Sequence, residues 1–135
     1  MIHFDTSFLI DLQRELASER PGPAFEFMED LDDREIVRVS VFVVAELRLG
    51  AELTRKPDKA HAEIDEMLSG VLVFHPNDAF AVRYAREAAA IKRSGGAVDT
   101  MDLLIGTAAL LDDAPIVTRN VKDFSRVPGL RVLAY

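Results

Sequence analysis

The sequence predicts an α/β fold: a central parallel sheet with helices on both faces. Three observations predict it. Short apolar segments alternate with longer segments of helical periodicity. Several of the short segments are apolar throughout, as strands buried on both faces are. Polar residues then follow at their carboxyl ends, as Asp5-Thr6-Ser7, Ser40 and Thr118-Arg119-Asn120. In such folds ligands bind at the carboxyl ends of the strands.

Each element has its own signal. IHF at the start reads as a buried strand, and TSFLIDLQREL as the helix after it. RPGP at 20–23 breaks the chain. AFEFMEDLDD is a second short helix, with Phe25, Met28 and Leu31 at helical spacing. EIVRVS is a strand, and Ser40 suits the N-cap of VFVVAELRLGAEL. Past Pro57 a helix is expected over roughly 58–69. VLVFH is a strand, and Asn77 caps a long helix ending near SGG at 94–96. Asp99 opens TMDLLIGTAALL. PIVT, a helical turn from Asn120, and a last strand in LRVLA complete the pattern. With 135 residues, one domain over 1–135 is expected, without repeats or low-complexity segments.

Composition narrows the function classes. Hydrophobic residues make up 49% and charged residues 29%, an ordinary globular balance. No apolar run approaches the roughly 18 residues of a membrane span. Asp5 and Asp11 interrupt the first apolar stretch and no basic leader precedes it, so a cytoplasmic location is expected. With no cysteine, disulfides, thiolate zinc sites and cysteine nucleophiles are excluded. The net charge is 16 − 23 = −7. Binding to nucleic acid rests on cations at the phosphates, so a protein this acidic needs local positive charge to handle a polyanion. A divalent metal would provide it.

The acids are placed where acids are costly. Glu46 has Phe42, Val43, Leu49 and Gly50 as helical neighbours, and a carboxylate on an apolar face needs a partner or a metal. Asp102 neighbours Ile105 and Gly106. It also stands at N3 after Asp99, with Val98 and Leu103 placed as a hydrophobic staple, so one of these two acids serves as a cap. Asn120 and Asp123 repeat the relation, and Asp5 is itself a good cap residue. Singly, each position has a structural explanation. Jointly, Asp5, Glu46, Asp102 and Asn120 converge at one end of an α/β sheet. Crowded carboxylates raise one another's pKa, and Mg²⁺ or Mn²⁺, which prefer oxygen ligands, reverse that balance.

FDTSFLIDL, SVFVVAELRLG, AVDTMDLLIGTAAL and IVTRNVKDFSRVPGLRV, in that order across nearly the whole chain, resemble the four motifs of PIN-domain proteins, most closely VapC-type toxins of bacterial toxin–antitoxin pairs. The resemblance implies an α/β/α sandwich and a Mg²⁺- or Mn²⁺-dependent endoribonuclease. Asp5, Glu46 and Asp102 match the metal-binding acids. Asn120 stands where some relatives carry aspartate, and Asp123 is the nearest acid, leaving one or two metals open. Asp99 is an additional candidate, and Thr6, Ser7 and Thr118 match hydroxyl positions near the site. Arg119, Lys122 and Arg126 are candidates for guiding RNA, although most such cations read as solvated surface charge. A VapB-like antitoxin and a homodimer are the implied partners, with RPGP and its flanking helices as the expected groove wall.

His3, His61 and His75 fall outside the motifs and are expected to pack or lie at the surface; HAEID lacks the second histidine of a metalloprotease motif. Three alternatives stand beside this reading. A receiver-like domain needs paired acids after the first strand, and a haloacid-dehalogenase-type phosphatase needs Asp-x-Asp there; this chain offers Asp5-Thr6-Ser7. The third is a non-catalytic PIN-like binding module.

Overall fold

The computed structural model describes residues 1–135. Five strands, β1 (Ile2–Phe4), β2 (Val37–Ser40), β3 (Leu72–Phe74), β4 (Ile116–Val117) and β5 (Val132–Leu133), form one sheet in the order β3-β2-β1-β4-β5. Every pairing is parallel. The helices are α1 (Thr6–Ser18), α2 (Pro23–Asp30), α3 (Val41–Glu52), α4 (Pro57–Met67), α5 (Asp78–Arg93), α6 (Thr100–Leu111) and α7 (Val121–Phe124).

The strand order explains the apolar start of the chain. β1 is central, so Ile2, His3 and Phe4 are all buried. Alternate residues face opposite sides of the sheet. Phe4 packs against Phe8 of α1 at 4.4 Å and Phe27 of α2 at 6.4 Å between ring centroids. His3 lies near Phe74, and its Nε2 meets Asp112 Oδ2 at 2.6 Å beyond the end of α6. Both faces are therefore covered, as the α/β reading requires.

The expected caps form at Ser40, which accepts from the Val43 amide, and at Asn77, which accepts from Phe80. The strands are shorter than read: EIVRVS contributes only 37–40, VLVFH 72–74, PIVT 116–117 and LRVLA 132–133. The outer strands are not apolar for burial's sake, since Leu72 of β3 and Leu133 of β5 are 53% and 39% exposed. The helix expected over 24–33 runs from Pro23 to Asp30, and the one over 58–69 from Pro57 to Met67; each begins on its proline, whose fixed φ suits the first helical position.

The apolar face expected around Glu46 is only half apolar. The packing seam of α3 runs through Val43, Leu47 and Ala51, while Leu49 is 61% exposed. Glu46 therefore sits at the edge of the seam. Arg48 folds onto α4, where its guanidinium donates to the His61 carbonyl at 3.1 Å.

Candidate metal centre

The sheet order reverses direction at β1: β2 and β3 were added on one side, β4 and β5 on the other. A crevice opens at such a point, outside the carboxyl ends of the strands. The Asp5 amide donates to the Val117 carbonyl at 3.0 Å, which sets the end of β1 beside the end of β4 and brings Asp5 to Thr118.

Asp5 occupies the N-cap position of α1, yet its side chain caps nothing. It is 3% exposed. Its Oδ2 accepts from Ser7 Oγ at 2.7 Å and from Thr118 Oγ1 at 2.7 Å. Each hydroxyl is itself fed by a backbone amide, Ser7 from Arg119 at 3.0 Å and Thr118 from Asn120 at 2.9 Å. A hydroxyl has one proton to give, so these amides leave both hydroxyl protons directed at Asp5. Asp5 Oδ1 accepts nothing from the protein and is not a buried orphan, so it faces the opening.

Half-buried Glu46 accepts from Thr6 Oγ1 at 2.7 Å, which ties α3 to the start of α1. The Asp99–Asp102 ambiguity resolves clearly. Asp99 Oδ1 accepts from the amides of Met101 at 2.9 Å and Asp102 at 3.4 Å, so Asp99 is the cap. The reciprocal half of a capping box is absent, and the Asp102 carboxylate has no hydrogen-bond partner in the protein. Burial first, then the charges of Asp5, Asp99, Asp123 and Glu46, push the Asp102 carboxyl up to about 6. Asn120 stands at the N-cap of α7 but uses its backbone rather than its side chain there. Asp123 is exposed and acts on Asp102 through its charge.

The donor set is all oxygen, with no histidine or thiol among it, which suits a hard divalent cation. No three of these side chains are drawn together at metal-ligand spacing in this structure. The acids are joined by field rather than contact.

At the rim, Arg119 Nη1 donates to Asp11 Oδ1 at 2.7 Å, and the Tyr135 hydroxyl donates to Asp11 Oδ2 at 2.6 Å. Burial, together with that bond, pushes the Tyr135 phenol up. Sequence reasoning missed Asp11 and Tyr135. The available signal was Ser7 and Asp11, one helical turn apart on a face without Phe8, Leu9 or Leu12. Lys122 is exposed, and Arg126 reaches Asp123 only at 4.0 Å. His61 lies at the surface beside Glu52, as expected.

The sequence matches the PIN domain family over residues 2–130. The chain is a PIN domain. This PIN domain is 26% identical to Ribonuclease VapC2 of Rickettsia felis over 84% of each chain. It is 28% identical to Ribonuclease VapC1 of Haemophilus influenzae, over 94% of this chain and 92% of the relative. In structure it resembles VapBC-1 from nontypeable Haemophilus influenzae, with a TM-score of 0.85, 27% identity and coverage of 99% of this chain and 98% of that one. The family match removes the receiver-like and phosphatase alternatives.

Proposed function

We propose that this PIN domain is an endoribonuclease toxin that uses Mg²⁺ or Mn²⁺ and is neutralised by a cognate VapB-like antitoxin. The observation that carries the metal is Asp102: a half-buried carboxylate without a hydrogen-bond partner, in the field of four other acids, at the sheet's crevice. Ribonuclease relatives over most of the chain support the substrate class.

Asp5, Glu46 and Asp102 would hold the ion, with Asn120 or Asp123 serving a second ion or a water. A bound ion would supply charge neutralisation at a phosphodiester and a more acidic water. The protein's own part is orientation. Ser7 and Thr118 fix Asp5 through one oxygen and leave the other facing outward. Thr6 holds Glu46 toward the start of α1. Arg119, held by Asp11, places one cation at the edge of an acidic site, where an RNA phosphate needs it.

The VapBC likeness supports an antitoxin partner. Arg20 and Pro21 of RPGP line a cavity of about 160 Å³ with Glu15 and Glu19 on its wall. A larger depression, about 490 Å³, lies between α1 and α4 against Leu12, Leu16 and Met67; it suits the apolar face of a docking helix. A basic residue beyond that helix would enter the acidic crevice. We include a homodimer and a cytoplasmic location in this proposal; no helix is long and apolar enough to cross a membrane.

The test is RNA cleavage by purified protein with Mn²⁺ or Mg²⁺ and with excess EDTA. Cleavage is expected only with the metal, and full activity in EDTA overturns the metal reading. Expression in a bacterial host should arrest growth, and co-expression of the antitoxin should relieve it.

A further inference from the structure

One cleft is used by nothing described so far. It lies between the end of α5 and the start of α6, where Thr100 and Leu103 line it. Two cavities of about 300 and 500 Å³ share Ile91, Gly96 and Ala97 and so form one groove. This is the size of a site for an organic ligand. Its floor is apolar, with Leu103, Ile91 and the half-buried ring of Tyr84. Its lips carry Lys92 and Arg126. Lys92 enters no ion pair, and the only ion-pair partner of Arg126 is Asp123 at 4.0 Å. Cations over an apolar, aromatic floor are what unstacked bases on a phosphate backbone require. They are notable in a chain of net charge −7.

The turn keeps the groove open. Gly95, with φ 77°, ends α5 in a left-handed step. The Gly95 amide donates to the Lys92 carbonyl and the Gly96 amide to the Ile91 carbonyl, a paired termination that needs a residue without Cβ at Gly95. Gly96 is outside the left-handed region, and a Cβ there would meet nothing closer than 3.5 Å. The backbone therefore tolerates a side chain at 96, and the open groove depends on its absence.

We propose that this groove binds a single-stranded segment of the RNA substrate. The proposal rests on the ribonuclease reading and names where the substrate lies. The test is fluorescence anisotropy of a short single-stranded RNA with the full chain in EDTA, where binding is read without cleavage. Gly96→Leu should weaken binding about tenfold or more, with an unchanged melting temperature reporting an intact fold. The double variant K92A/R126A should weaken binding and flatten the dependence of log K on log salt by about 0.7 per lost phosphate contact. Unchanged affinity and slope in both overturn the proposal. So does a Gly96→Leu variant that alters the oligomeric state by light scattering while RNA affinity stays the same, since the groove then seats a second copy. If the wild type binds RNA through the groove but cleaves none with Mn²⁺, this inference stands and the nuclease reading fails.

Discussion

Asp5 and Asp99 hold the same position at the starts of α1 and α6, yet only Asp99 turns its carboxylate to the helix amides. Their substitutions should separate accordingly. Asn caps a helix about as well as Asp, so Asp99→Asn should keep most cleavage activity. Asp5→Asn, Asp102→Asn and Glu46→Gln should each lower it by orders of magnitude, measured as kcat/KM on RNA; loss at Asp99 with activity retained at Asp102 would assign the roles the other way. Thr118 is the other decisive residue. It is fully buried, gives its proton to Asp5 and accepts the Asn120 amide. Thr118→Val keeps the shape and removes both bonds. Residues that orient metal ligands are typically worth 10–100-fold, so cleavage should fall by about that factor, with an apparent metal affinity weaker in titrations. The ligand candidates were legible from residue type and motif order, and so were the hydroxyls near them. Their direction was not, because which of two lone pairs a proton meets depends on a strand 113 residues away.

At the scale of elements, the junction of α1 and α2 shows why caps are only partly readable. Ser40 and Asn77 cap the helices that follow them, a relation contained in four consecutive residues. The start of α2 is capped from elsewhere: Glu15 of α1 accepts from the amides of Ala24 at 3.2 Å and Phe25 at 2.7 Å. RPGP was legible as a break, but not as a place where one helix caps another. Gly22 permits it, since a Cβ there would collide with the Glu15 carboxylate. Gly22→Ala should therefore cost about 1 kcal/mol, the usual worth of a cap, or roughly 3–4 °C in melting temperature for a domain of this size. RNA cleavage should be retained. In a Glu15→Ala background the same change should cost much less, because the collision and the cap vanish together; equal costs in both backgrounds would refute the coupling. Strand lengths were overread for a related reason. An apolar run marks where a strand can extend, and β4 and β5 pair over only two residues each.

For the molecule as a whole, buried His3 and half-buried Asp102 pull stability in opposite directions with pH. Asp102 holds its proton more tightly folded than unfolded, its pKa rising from 3.8 to about 6. Stability is therefore lost as pH rises through that interval and stays lower above it. His3 is held below 6.5, chiefly by burial. Its contribution is present above 6.5 and lost as pH falls below it. Asp102→Asn removes the first effect alone. In EDTA at pH 7 the variant should be the more stable, by on the order of 1 kcal/mol once solvent screening of a half-exposed group is discounted. That advantage should shrink on acidification toward pH 4 in thermal melts, and an advantage independent of pH would show that the acids do not repel as described. The β1-centred sheet has one more consequence, and it concerns time. Asp5 leaves the ribosome before Thr118, which holds it and lies 113 residues later. At about 5–20 residues per second, translation separates the two by roughly 6–23 s. A nascent chain halted anywhere between them carries acids without the strand that aims them, so the synthesising ribosome is not exposed to an assembled nuclease until that strand has emerged.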